Sequence, residues 1–180
     1  MLSEHGAVVI DADALAREVV RTDKPGFGAV VERFGAAVVG ADGELDRAKL
    51  ADLVFAGAAA RDALNAIVHP LVAQRSAELI AAVPAGAIVV YDVPLLAEND
   101  LAGDFDVVVV VEADIVARLS RLGERGMSAD KARARIAVQA GDDQRRAIAH
   151  EVLRNDGDRN ALRAQVDELW GRLRARAEGG

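Results

Sequence analysis

Three short runs of β-branched residues constrain this 180-residue chain more than anything else in it: AVVI at 7–10, AIVVY at 87–91 and VVVVV at 107–111. Each is almost unbroken in apolar side chains. A strand with one wet face alternates apolar and polar residues, whereas a strand covered by helices on both faces does not. A fourth, weaker run is EVLR at 151–154. Helical periodicity fills the intervening stretches, at 12–21, 26–34, 45–56, 58–83, 113–125, 128–140, 142–149 and 158–177. Strands alternating with helices specify an α/β fold, with a parallel sheet and crossover helices on both faces. The spacing is uneven, because residues 11–86 separate the first run from the second, far more than one crossover needs. We read 12–83 as a helical lobe on the sheet. Within it Pro70 is expected to bend or break the 58–83 helix. The stretch 118–146 carries Arg118, Arg121, Arg125, Arg133, Arg135, Arg145 and Arg146 in helical context and reads as a lid. No linker or repeat divides the chain, so 1–180 reads as one domain. The last helix, with Leu162, Val166, Leu169 and Leu173 at helical spacing, packs on the sheet.

Composition narrows the function classes. Apolar residues make up 52% of the chain and aromatic ones 3%, so the core must be built from Ala, Val, Leu and Ile. A net charge of -7 argues against bulk attraction to nucleic acid, while leaving room for a local basic patch. The absence of cysteine excludes disulfides, thiolate chemistry and Cys-type zinc sites. His5, His69 and His150 are too scattered for a metal cluster. No apolar run approaches the roughly 20 residues of a membrane span, and Glu4 and His5 sit where a signal peptide would need an apolar core. The expectation is a cytoplasmic protein with no membrane or nucleic-acid partner.

Asp11 and Asp13 follow the first run at once. Ligands of open parallel sheets bind beyond the carboxyl ends of the strands. Two carboxylates there can orient a hydroxyl, accept its proton, or hold magnesium through water. One can equally cap the helix that starts at Ala12 or Ala14, and both uses are compatible, one residue each. Asp92 ends the second run in VVYDVPLL, where it is either a turn residue before a proline or an outer ligand to magnesium. The turn Pro94-Leu95-Leu96 offers an apolar wall. The arginines of 118–146 suit phosphate oxygens, to which guanidinium donates in pairs. Singly, each reads as a solvated partner of Glu124, Asp130, Asp142 or Asp143. Together they make a basic island in an acidic chain. His69, beside Pro70, reads from spacing alone as a structural histidine.

A parallel sheet, a helical lobe and an arginine lid suggest a nucleotide kinase, which holds its phosphates in a G-x-x-x-x-G-K-[ST] loop. These 180 residues contain none, and Lys24, Lys49 and Lys131 follow no such loop. Spacing by itself therefore stops at an α/β protein that binds a phosphorylated ligand.

An ordered series of short matches goes further. IDADALAREVV at 10–20 resembles the D-A-D-x-x-A-R-E-V-V segment of the dephospho-coenzyme A kinases. The likeness runs on through Phe34-Gly35, GELDR at 43–47, Val54-Phe55, Leu64-Asn65, His69-Pro70 and DVPLLAE at 92–98. It continues through Arg118-Leu119, RGMS at 125–128, Arg135-Ile136, Gln139 and NDG at 155–157. The resemblance implies a P-loop kinase fold of the nucleoside-monophosphate-kinase type. It also implies transfer of the γ-phosphoryl group of ATP to the ribose 3′-hydroxyl of dephospho-coenzyme A, with Mg2+ accompanying ATP. Carried over by position, Asp13 matches the base that takes the hydroxyl proton. Asp11, Arg17, Arg47 and His69 match residues near the acceptor, and Pro94, Leu95 and Leu96 match the wall beside it. Arg118 and Arg125 match lid residues facing the ATP phosphates, and Asn155 a residue near adenine.

Two departures stand beside the likeness. Leu2–His5 and Gly6 match only the end of the family's first helix, so a strand, a glycine-rich loop and part of a helix, roughly 20 residues, are expected upstream. Met1 then reads as an internal methionine, with apolar surface exposed on the strands that the missing one would flank. Ala149-His150 stands where the family has Ala-Asp. The chain as given is accordingly expected to be impaired as a kinase. The alternative is a non-catalytic module binding coenzyme A or dephospho-coenzyme A. A kinase of another small hydroxyl-bearing nucleotide is disfavoured by GELDR and DVPLL.

Overall fold

The computed structural model describes residues 1–179. Four strands form: β1 (Val8–Asp11), β2 (Val89–Asp92), β3 (Val109–Glu112) and β4 (Glu151–Arg154). Eight α-helices accompany them among the described residues. They are α1 (Ala12–Glu18), α2 (Pro25–Phe34), α3 (Arg47–Ala56), α4 (Ala58–Ala81), α5 (Ile115–Glu124), α6 (Ala129–Ala137), α7 (Asp142–Ile148) and α8 (Arg159–Gly179). All four expected strands are present, the weak fourth included, and both strand pairings are parallel. The chain divides into two compact units. One is Val8–Pro94, and the other comprises Met1–Ala7 with the chain from Leu95 onward.

In the unit Val8–Pro94, β1 pairs with β2 in the register Val8↔Val89 through Asp11↔Asp92. The two valine-rich runs therefore end level, each on an aspartate. Helices α1 to α4 fill the long connection between them. Ile10, Leu15, Val19, Val30 and Val38 are buried. Glu18 ties α1 to α4 through Arg75, whose Nε donates to its Oε1 at 2.9 Å. The start of α2 approaches closely at Gly26, where an added Cβ would lie 2.3 Å from the carbonyl oxygen of Val19 and 2.8 Å from Leu71 Cδ1. Glycine is required there by space. Thr22 then ties the loop after α1 to the turn before α3, its Oγ1 donating to the Gly43 carbonyl at 3.1 Å. Of the bend or break expected at Pro70, a break does not occur, and α4 continues through it. A proline removes one intrahelical bond. The turns on either side of it carry the helix through.

In the second unit, β3 pairs with β4 from Val109↔Glu151 to Glu112↔Arg154. Leu153, Val166 and Leu169 form its buried centre, with Leu162 and Leu173 of α8 and Met1, Leu2 and Val109 packed around it. The opening turn Leu2–His5 stops at Gly6, whose φ of 103° only glycine adopts readily. His5 stacks on Trp170 at a ring separation of 5.6 Å and bonds to Asp167 at 2.8 Å. Both rings are thus structural. His150 is structural too, its Nδ1 accepting from the Val108 N–H at 3.0 Å. Val111 is 55% exposed and Val152 40%, so one part of this strand pair presents apolar side chains that α8 does not cover.

Candidate active site

Asp11 and Asp13 divide the two uses that the sequence left open. Asp11 is the last residue of β1 and the N-cap of α1; its Oδ1 accepts from the Ala14 N–H at 2.8 Å. This satisfies one of the donors that a helix start leaves unpaired. Asp13, in the first turn of α1, is exposed and makes no hydrogen bond or ion pair among the described residues. A carboxylate without a protein partner keeps its lone pairs for a proton or a ligand.

Other candidates in this unit share that state. Arg17 lies one turn further along α1, Arg47 opens α3, and His69 lies in the middle of α4. Asp92 ends β2. All four are exposed, and none has a hydrogen bond or ion pair from its side chain among the described residues. Arg47 owes its position to Asp46, which caps α3 by accepting from the N–H groups of Ala48 and Lys49, each at 3.1 Å. The Lys49 backbone bond, with the Lys49 ammonium, lowers the Asp46 carboxyl below its ordinary range.

Mg2+ can be tested against these residues. Asp11 and Asp92 stand opposite each other at the ends of paired strands and so project from the same face. No group of three or more His, Cys, Asp or Glu that could cage a metal exists among the described residues. Two carboxylates without a cage suit magnesium, which keeps several waters and leans on substrate phosphates. The donor set fits an ion brought in with a nucleotide.

Beyond Asp92 the chain turns through Pro94, Leu95 and Leu96. Pro94 and Leu95 are exposed and Leu96 is half-buried. The Leu95 carbonyl accepts from Asn99 Nδ2 at 2.8 Å, which closes the turn and leaves its side chain outward.

The second unit carries Arg118, Arg125 and Asn155, and here the side chains are mostly engaged. Arg118 Nε donates to the Ala113 carbonyl at 2.6 Å, and its Nη2 to Asp142 Oδ1 at 2.5 Å. That bond, foremost, holds the Asp142 carboxyl below its usual range. Arg145 also reaches Asp142, at 3.6 Å, and donates to the Ala140 carbonyl at 2.6 Å. Asn155 accepts from Arg121 Nη2 at 3.3 Å. Arg125 caps the end of α5, exposed and without a partner among the described residues. The segment 118–146 is therefore an internally paired network with free ends, neither a bare cationic face nor a fully neutralised one.

Glu112 escaped the sequence reading. It ends β3 and is the one charged residue among the described residues that is buried, with 4% exposure. Arg146 Nη2 donates to Oε2 at 2.8 Å and Arg154 Nη1 at 3.1 Å. Arg146 Nε also lies 2.7 Å from Oε1, an ion pair out of line for a hydrogen bond. These guanidinium groups, Arg146 first, hold the Glu112 carboxyl below its ordinary value despite burial. The signal available in sequence was a glutamate closing an all-valine run.

Comparison with known proteins bears on this arrangement. The family model described as dephospho-CoA kinase matches residues 1–161. The dephospho-CoA kinase of Streptomyces avermitilis is 52% identical over 178 residues, covering 98% of this chain and 87% of that protein. That of Thermobifida fusca is 48% identical over 176 residues, covering 97% and 88%. Among solved structures, a Thermus thermophilus protein superposes with a TM-score of 0.82 at 32% identity, over 96% of this chain and 87% of that one. The Campylobacter jejuni dephospho-CoA kinase, at 18% identity, shares the fold with a TM-score of 0.71, over 96% of this chain and 88% of that one. With a family match over most of its length and relatives near half identity, the chain belongs to the dephospho-CoA kinase family.

Proposed function

We propose that this chain serves transfer of the γ-phosphoryl group of ATP to the ribose 3′-hydroxyl of dephospho-coenzyme A, with Asp13 as the base. The observation that carries the reading is that Asp13, Arg17, Arg47, His69 and Asp92 in Val8–Pro94 are all exposed with no side-chain partner among the described residues, a state that Glu32 and Asp52 share. Arg17 and Arg47 suit the acceptor's phosphates, and Asp11 and His69 suit its neighbouring polar groups. Pro94, Leu95 and Leu96 give the acceptor an apolar wall. Arg118 and Arg125 serve the ATP phosphates and Asn155 the adenine.

Phosphoryl transfer asks for positioning and charge neutralisation more than for covalent chemistry. The 3′-oxygen forms a bond to the γ-phosphorus as its proton passes to the Asp13 carboxylate. The bond from the γ-phosphorus to the β,γ-bridging oxygen breaks, and its electron pair leaves with ADP. Mg2+, held through water by Asp92 with Asp11, would offset phosphate charge.

No G-x-x-x-x-G-K-[ST] loop occurs in these 180 residues, so their own turnover is expected to be slight while acceptor binding persists. An assay of ADP release, run beside calorimetry with dephospho-coenzyme A, tests both parts. Binding with little or no turnover supports the reading. Robust turnover overturns the expected impairment, and absence of binding overturns the acceptor site. Binding of coenzyme A and dephospho-coenzyme A alike, with no transfer at any enzyme concentration, favours a non-catalytic module instead.

A further inference from the structure

Glu112 closes a ring built of charge pairs and backbone hydrogen bonds. From Glu112 the first arc runs to Arg146 of α7. The same helix carries Asp142, which takes Arg118 of α5. From Glu112 the second arc runs to Arg154 at the end of β4. Arg154 Nε donates to Asp156 Oδ2 at 2.9 Å, and Asp156 Oδ1 accepts from the Asp114 N–H at 2.6 Å. Asp114 then caps α5 by accepting from the Ala117 N–H at 2.7 Å. The two arcs meet on α5. Inside the ring lies Asn155, whose N–H donates to the Glu112 carbonyl at 2.7 Å and whose Oδ1 is held by Arg121 of the same helix.

A buried carboxylate between two arginines is a poor device for stability alone, because apolar side chains of similar volume serve as well or better. It does fix geometry. Glu112 is tied to α7, to β4 and, through them, to both ends of the path that sets Arg118. We infer that Glu112 is a positioning residue for the nucleotide, holding Arg118 and Asn155 in register through the ring, and this rests on the reading given under Proposed function.

The test uses Glu112→Gln in the full 180-residue chain, titrated with MgATP and separately with dephospho-coenzyme A. Glutamine keeps the size and loses the charge that two guanidinium groups need. Simple electrostatics predicts tighter ATP binding, since one negative charge is gone. Positioning predicts the opposite sign. ATP affinity should fall about tenfold or more, as misplaced binding groups do, with dephospho-coenzyme A affinity unchanged. Arg154→Gln, at a half-exposed residue, breaks one arc and should lower ATP affinity selectively and less, which keeps the test open if Glu112→Gln fails to fold. Unchanged or tighter ATP binding in both variants overturns the inference, as does equal weakening for both ligands. A wild-type chain that binds dephospho-coenzyme A and no ATP overturns it as well. Binding of neither ligand by the wild type instead overturns the function on which it rests.

Discussion

Asp11 and Asp13 are the same chemical group two residues apart, and their surroundings assign them different work. Asp11 spends an oxygen on the start of α1. Asp13 spends none on the protein, which suits a base that must take a proton from a bound hydroxyl. Asp13→Asn should therefore abolish whatever transfer the chain supports, a loss on the order of 100-fold or more, while calorimetry finds dephospho-coenzyme A affinity nearly unchanged. A large loss of acceptor affinity instead would make Asp13 a binding residue. Asp11→Asn should behave differently, because asparagine caps a helix as well as aspartate does. The sequence showed that two carboxylates stood at a strand end. It could not show which was committed, because capping is decided by the backbone angles of Asp11 and the reach of its side chain to Ala14.

Elements were legible where their pattern was local. The valine-rich runs became β1, β2 and β3, and the eight helical segments became α1 to α8, with ends moved by a few residues. Helix α1 stops at Glu18, short of the expected end at 21, where Val19, Val20 and the approach to Pro25 replace good helix formers. Pro70 does not break α4, because a proline's cost is local and a 24-residue helix absorbs it. Gly26 was invisible for the opposite reason, since its constraint comes from Val19 and Leu71 across the fold. Gly26→Ala should destabilise the protein by about 1–3 kcal/mol, as overpacking does, measured by urea unfolding. An unchanged midpoint would show that α2 shifts freely away from Val19. The arginine segment was legible as a cluster, but its partners were not. Glu112 and Arg154 are 42 residues apart and meet only because β3 and β4 pair in that register.

At the scale of the molecule, acid sensitivity follows from the same pairs. Glu112, Asp142 and Asp156 all have carboxyls held below their ordinary range, by Arg146, by Arg118 and by the Asp114 N–H respectively. A lowered folded-state pKa means that the native protein binds fewer protons than the unfolded chain, so stability rises with pH through that window. The contribution is complete above the unfolded values, 4.5 for Glu and 3.8 for Asp, and is lost as pH falls through the lower folded ones. Thermal melts should show a midpoint that is flat near neutrality and drops below about pH 4. The drop should be shallower in Glu112→Gln, and an equally steep drop would show that the ring is not the acid-sensitive element.

On the function proposed above, Val8–Pro94 carries an open acceptor site for dephospho-coenzyme A. The decisive measurement is calorimetric titration of the wild-type chain and of an Arg17→Ala, Arg47→Ala double variant with dephospho-coenzyme A. One site is expected in the wild type. The double variant should lose at least about tenfold in affinity, since each arginine supplies charge-assisted bonds worth on the order of 1 kcal/mol or more. Equal affinity in the two proteins, or no binding in either, would contradict it.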